Sequence, residues 1–189
     1  DNPIFPLVSA TGSCRMGREL APRVAGRLAQ TILELGGNNA MIVAASADLD
    51  LTVRAAVFSA VGTAGQRCTS LRRVIVHESV YDALTVGLKR AYANIRVGNP
   101  LNAGTLIGPL IDAKAYERMQ AALESARAEG GVVYGGSRVA VEGFADGFYV
   151  EPALVEMPSQ TATVRAETFA PILYLMKYRE FDEAIEGTG

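Results

Sequence analysis

Two side chains in this sequence could share nucleophilic chemistry, and neither needs a histidine. Cys68 stands in Gly65-Gln66-Arg67-Cys68-Thr69, and Glu34 stands in Glu34-Leu35-Gly36-Gly37. A thiol attacks as its thiolate, so it needs positive charge or a base nearby. Arg67 supplies charge next door in sequence, and Gly62 and Gly65 permit close approach of a ligand or an unusual turn. The competing reading of Cys68 is a small buried hydrophobe, the common fate of an isolated cysteine. Glu34 lies in the apolar run Thr31 to Leu35. A carboxylate there would be partly desolvated, which raises its pKa and suits general-base work; the alternative is an outward-facing residue on an edge strand.

A third element is a cradle for an anion. Ser9-Ala10-Thr11-Gly12-Ser13, with Gly17 following, places a glycine turn between a strand and a helix. Such a turn presents free N–H groups at a helix N-terminus, although it is shorter than GxGxxG and equally compatible with an ordinary βα turn. A fourth element, Glu167-Thr168-Phe169-Ala170-Pro171, puts an acid and an aromatic two residues apart. They could hold a ribose and flank a ring; without context they are a loop entering a strand. Cys14 reads as a turn residue. With His77 the one histidine, a Ser-His-Asp triad and a zinc site both lack partners, so the base is not imidazole unless His77 reaches Cys68.

The elements that must position these residues follow from periodicity and breakers. Phe5 to Ala10 reads as a short buried strand, and Met16 to Leu28 as a helix that Pro22 should kink or restart. Thr31 to Leu35 is a second strand. Strand, glycine turn, helix, strand is a βαβ unit, so a parallel sheet is the default. Ala40 to Ala44 is a strand, and Leu51 to Thr63 a helix started by Asp48 and Asp50 and ended by Gly62 and Gly65, with Cys68 in the loop beyond. Arg73 to His77 is a β-branched strand; Ser79 and Asp82 form a capping box for a helix ending near Ile95. Asp112 to Glu129 is the clearest helix, stopped by Gly130-Gly131. Val132 to Tyr134, Phe148 to Val150 and Leu154 to Glu156 are short strands, and Ile172 to Tyr178 is the last long one.

Composition narrows the classes. The 189 residues are 49% hydrophobic and 20% charged, with a formal net charge of −2, which is ordinary globular composition. No basic stripe suggests nucleic acid, and no apolar run is long enough for a bilayer. Two cysteines in a chain of this size suit a reduced compartment, so a cytoplasmic location is expected. Both ends read as cut: the start is not methionine, and the finish is the opening of a helix at Phe181 to Glu186.

Taken together and in order, Thr-Gly-Ser-x-x-x-Gly, Glu-Leu-Gly-Gly-Asn-Asn, Gly-Gln-Arg-Cys, Gly-Pro-Leu and Glu-Thr-Phe-Ala-Pro resemble the aldehyde dehydrogenases over essentially the whole chain. Leu35 to Ala40, Gly62 to Thr69, His77-Glu78-Ser79, Ile95 to Pro100 and Glu167 to Tyr174 resemble its antiquitin branch, the α-aminoadipic semialdehyde dehydrogenases. The resemblance implies an α/β fold, a Rossmann-like three-layer sheet with helices on both faces. It makes residues 1–36 the end of the cofactor-binding domain and 37–189 a catalytic domain truncated at its C-terminal end. It implies Cys68 as nucleophile and Glu34 as general base. Gly12, Ser13, Gly17, Leu35, Gly36, Glu167 and Phe169 become cofactor contacts, and Arg67 the holder of a distal substrate carboxylate. NAD is the implied cofactor, with NADP open; the partners are an aldehyde and further copies of the chain, as dimer or tetramer. The alternatives are a broad-specificity aldehyde dehydrogenase, a cofactor-free cysteine esterase and a catalytically silent module. The family's second oxyanion donor, adenosine-binding lysine and oligomerisation strand have no counterpart in this sequence, so residues 1–189 alone are expected to bind cofactor poorly and turn over little.

Overall fold

A computed structural model describes residue 2 and residues 4–188. The chain divides into two compact units, the first ending at Gly37 and the second beginning at Asn38.

The first unit is the expected βαβ. Strand β1 (Leu7–Thr11) leads through Gly12 into helix α1 (Cys14–Ala25), and the chain returns as β2 (Gln30–Glu34), parallel to β1 with Thr11 opposite Glu34. Ser13 caps α1, its Oγ accepting from the Met16 N–H at 3.1 Å. The helix therefore starts two residues earlier than periodicity suggests, and Cys14 is its first residue, not a turn residue. It runs unbroken through Pro22 and stops three residues later. The proline lies in the last turn, where little helix remains to be disrupted. Phe5 to Ala10 is not the buried strand expected: Phe5 is exposed, and the strand from Leu7 alternates exposed and half-buried.

The second unit holds a five-stranded sheet of order β3-β4-β7-β6-β5, with β3 (Asn39–Val43), β4 (Leu71–His77), β5 (Val132–Tyr134), β6 (Ala153–Glu156) and β7 (Ile172–Tyr178). Strands β3, β4, β7 and β6 are parallel; β5 joins β6 antiparallel, with Val132 opposite Glu156. The sheet is thus mixed, because the segment after β5 returns along the same edge. Phe148 to Val150 forms no strand. Its residues make isolated bridges to Leu110 and Arg138, since the facing segments are irregular.

Helices α2 (Leu49–Val61) and α3 (Glu78–Tyr92) cover one face, and α4 (Ala113–Ala128), α5 (Ala162–Arg165) and α6 (Phe181–Glu186) the other. Strand alternation sorts the two cores. Val74, Val76, Leu173 and Leu175 pack with Ala56, Ala60, Leu84 and Leu88. Ile75, Tyr174 and Met176 pack with Met119, Leu123 and Ala184. This is the three-layer α/β arrangement.

The caps are local and legible. Asp48 Oδ1 accepts from the Leu51 N–H, and Asp112 Oδ1 accepts from the Ala115 N–H at 2.7 Å. Helix α4 ends in a Schellman motif: Gly130 takes φ +89°, and the Gly131 N–H reaches the Ala126 carbonyl. The expected Ser79–Asp82 capping box is not formed. His77 caps α3 instead, its Nδ1 accepting from the Ser79 N–H at 3.2 Å. Among the described residues no helix is long and apolar enough to cross a membrane.

Replacing Asp112 by Ala should cost about 1 kcal/mol in urea unfolding, whereas Asp112→Asn should retain most of that stability. Equal losses for both would show that the cap is not the source.

Candidate active site

Because β3, β4 and β7 run parallel as neighbours, the segments entering them meet at one end of the sheet. Those segments carry Asn38 and Asn39, the Cys68 loop, and Glu167 to Pro171.

The Cys68 loop begins in a strained turn. After α2, residues Gly62–Gly65 form a 3-10 turn in which Thr63 (φ +56°), Ala64 (+52°) and Gly65 (+67°) are all left-handed. A β-branched threonine in this region is an outlier that only surrounding structure can hold. At Gly65 the reason is steric as well: a Cβ would run into the backbone of Ala170 and Pro171. The turn therefore presses the cysteine loop against the segment that carries Phe169.

Beyond the turn, Arg67 to Ser70 closes on itself. The Ser70 N–H donates to the Arg67 carbonyl at 3.1 Å, and the Arg67 N–H donates to Ser70 Oγ at 3.2 Å. Asn39 Nδ2 donates to the carbonyls of Cys68 (2.7 Å) and Ser70 (2.9 Å). Cys68 is thus exposed and free on a backbone tied down on both sides, not the buried hydrophobe of the competing reading. Gln66 extends the hold: its Oε1 accepts from the Ile111 N–H at 2.9 Å, and its amide donates to the Pro109 carbonyl.

Arg72 joins this loop to the next one. Its side chain is 3% exposed. One guanidinium nitrogen donates to the carbonyls of Gly65 (3.2 Å) and Thr168 (2.8 Å). The other donates to the Arg67 carbonyl (3.1 Å) and to Glu167 Oε1 (3.4 Å). The same group lies over the Phe169 ring, 5.4 Å from its centroid. Burial pulls the Arg72 pKa below the ordinary arginine value; the charge of Glu167, its hydrogen bond and the Cys68 thiolate act in the opposite sense. Arg73, next in the strand, points to the other face. It donates to the Asn38 carbonyl, to Gln160 Oε1 at 2.6 Å and to the carbonyls of Gly187 and Thr188. Asn38 Nδ2 in turn holds the Val164 and Arg165 carbonyls.

Arg67 leads away from Cys68 into a groove of about 550 Å³ lined by Val53, Arg54, Val57, Phe58, Val61 and Leu106. Its guanidinium stands 5.9 Å from the Phe58 ring centroid and fills the space where Gly62 would carry a Cβ. Arg67 Nε is buried with no hydrogen-bond partner among the described residues. An apolar groove with a cation in its wall suits an aliphatic chain ending in an anion.

Within the first unit, Glu34 ends β2 and is exposed. The partial desolvation expected from its apolar neighbours is not seen, because β2 lies in a two-stranded sheet whose side chains at 30, 31, 32 and 34 face outward. The Gly12 N–H donates to the Glu34 carbonyl at 2.9 Å, so the glycine turn and the carboxylate-bearing strand end are one piece of backbone. Gly17 is not in the turn. It is a buried helical residue, and a Cβ there would strike Leu35, which packs over it. Leu35 thus seats α1, with Gly36 just beyond. The first turn of α1 has no acidic residue and contains Arg15, so its amide end fits a phosphate group. The Glu167 carboxylate fits a ribose diol, and the exposed Phe169 ring fits a flat apolar ring.

His77 is not a base for Cys68. It lies at the far end of β4, and seven residues of strand span about 20 Å. Among the described residues no group of three or more His, Cys, Asp or Glu is placed to hold a metal ion. The residues that sequence reading missed are Asn38, Asn39, Arg72 and Arg73. Paired amides and paired guanidiniums at the starts of apolar strands were their available signal.

Comparison with known proteins identifies the family. Residues 1–188 match the aldehyde dehydrogenase family. The chain belongs to that family. A putative aldehyde dehydrogenase family 7 member A1 homolog from Dictyostelium discoideum is 46% identical over 181 residues, 95% of this chain and 35% of that protein. An alpha-aminoadipic semialdehyde dehydrogenase from Bos taurus is 48% identical over 178 residues, 94% of this chain and 32% of that protein. The chain thus spans about a third of the length of the curated relatives it matches. Among solved structures, a betaine aldehyde dehydrogenase from Staphylococcus aureus in complex with NAD+ superposes with a TM-score of 0.94 at 28% identity, covering 99% of this chain and 38% of that one. An aldehyde dehydrogenase from Brucella melitensis biovar abortus 2308 gives 0.92 at 32% identity, covering 100% and 38%.

Gly65→Ala should destabilise the fold by more than about 1 kcal/mol, because both φ and the Ala170 carbonyl oppose the new methyl. Urea unfolding checks this; an unchanged midpoint would mean that the two segments are not in contact.

Proposed function

We propose that the protein carrying this chain oxidises an aldehyde to the carboxylic acid, and that its substrate is a semialdehyde with a distal carboxylate, such as α-aminoadipic semialdehyde. The observation that carries this reading is an exposed Cys68 on a braced loop, next in sequence to Arg67, which lines an apolar groove.

In this proposal the Cys68 thiolate adds to the aldehyde carbon, forming a carbon–sulfur bond and a thiohemiacetal oxyanion. NAD, when bound, supplies the hydride acceptor that lets this carbon become a thioester; NADP remains an alternative. Glu34 takes a proton from water, the water oxygen attacks the thioester carbonyl, and the carbon–sulfur bond breaks to release the acid and regenerate the thiolate. Splitting the oxidation this way replaces one hard step with two easier ones. The Cys68 N–H is assigned as an oxyanion donor, a contact whose loss costs about 2.7–4 kcal/mol in other enzymes. The Gly12-Ser13 turn and the α1 N-terminus are assigned to the cofactor pyrophosphate, Glu167 to its nicotinamide ribose, and Phe169 to the nicotinamide face. Gly17, Leu35 and Gly36 support that end of the cofactor. Residues 1–36 are assigned to the end of a cofactor-binding domain and 37–189 to part of a catalytic domain, in a cytoplasmic dimer or tetramer acting in lysine breakdown.

Rapid mixing separates the two half-reactions. With α-aminoadipic semialdehyde and NAD, Glu34→Gln should give a burst of about one NADH per site and then stall, since acylation does not need the base. Full steady turnover by that variant would remove Glu34 from the proposal, and absence of any NADH formation by the unsubstituted protein would remove the dehydrogenase reading. Arg67→Met should raise KM for the semialdehyde by about tenfold or more, the scale of a charged hydrogen bond, while leaving propanal within about threefold. Equal effects on both aldehydes would show that Arg67 does not read the carboxylate.

A further inference from the structure

The Arg72 guanidinium has a geometry that the assigned roles do not use. It is buried, it donates to two carbonyls of the cysteine loop, and it donates to a carbonyl and a carboxylate of the loop that enters β7. It also stacks against the face of the Phe169 ring. We propose that Arg72 is a positioning residue: it fixes Glu167 and Phe169 in register with Cys68, so that cofactor ribose, nicotinamide ring and thiol meet in one arrangement. The inference rests on the dehydrogenase reading and deepens it by naming what holds the two halves of that reading together.

Four features support it. The planar fork of arginine can satisfy acceptors on two loops at once, which a lysine ammonium on a flexible stem does poorly. The loops it joins are far apart in sequence, 65–67 and 167–169, so no local turn fixes their spacing. Gly65, which it grips, is also the residue whose missing Cβ admits the Ala170 carbonyl, so hydrogen bonding and close packing act at the same place. The Glu167 carboxylate and, less strongly, Cys68 favour the charged form of Arg72 against the burial that opposes it.

A structural arginine would lower stability when removed but would not act through Glu167. A double-mutant cycle on NAD binding separates the two. Dissociation constants are measured calorimetrically on the full-length protein for Arg72→Met, Arg72→Lys, Glu167→Gln and the two double variants. Thermal unfolding is followed in parallel. Arg72→Met should weaken NAD binding by roughly tenfold in the unsubstituted background and by less than about threefold beside Glu167→Gln. Arg72→Lys should fall between, because it keeps the charge and loses the fork; it carries the cycle if Arg72→Met does not fold. Equal losses in both backgrounds, or none in either, would overturn the positioning role while leaving NAD binding intact. No binding of NAD or NADP by the unsubstituted protein would overturn the dehydrogenase reading, and the positioning role with it.

Discussion

A guanidinium removed from water must have acceptors on every side, and the Arg72 group finds them in two loops that carry the candidate chemistry. Burying such a charge without partners would cost several kcal/mol, so the loops and the arginine stabilise each other. The next residue in β4 repeats the device on the opposite face. Arg73 is also buried, and it ties Asn38 to Gln160 and to the chain after α6. One strand therefore anchors the site edge from above and below the sheet. Glu167, Phe169 and the Cys68 loop are tied together by Arg72, the second residue of β4, and Asn39 holds the same loop through the Cys68 and Ser70 carbonyls.

The left-handed turn before Cys68 belongs to the same arrangement. Three consecutive residues with positive φ are costly, more so when one is threonine. They persist because Gly65 lies against the Ala170 backbone, because Gln66 spans to Pro109 and Ile111, and because Arg72 grips the Gly65 carbonyl. The result is a cysteine that is exposed at its side chain and fixed at its backbone, the combination an attacking thiol requires.

Much of this was legible in the sequence. The βαβ opening, the helices started by Asp48 and Asp112, the stop at Gly130-Gly131 and the strands around Ile75 and Leu175 follow from caps, breakers and alternation. So does the placement of Cys68 in a loop between a helix and a strand. What sequence reading misses depends on distant partners. The antiparallel edge strand, the failure of Phe148 to Val150 to form a strand, and the cap from His77 each turn on a neighbour that local pattern does not name. Arg72 and Arg73 are the clearest case: charge in an apolar run reads as an exception until carbonyls from four other segments are found around the pair. Glu34 errs the other way, since an apolar run suggested burial and a two-stranded sheet leaves it exposed.

The central claim is that Cys68 is the thiol through which an aldehyde reduces a nicotinamide. Absorbance at 340 nm, with α-aminoadipic semialdehyde and NAD, tests it on the full-length protein and on Cys68→Ala. Steady NADH formation that disappears with the substitution, while the variant keeps its unfolding midpoint, is the predicted result. NADH formation that survives in Cys68→Ala, or that is absent from the unsubstituted protein with every aldehyde and either nicotinamide tried, would contradict it.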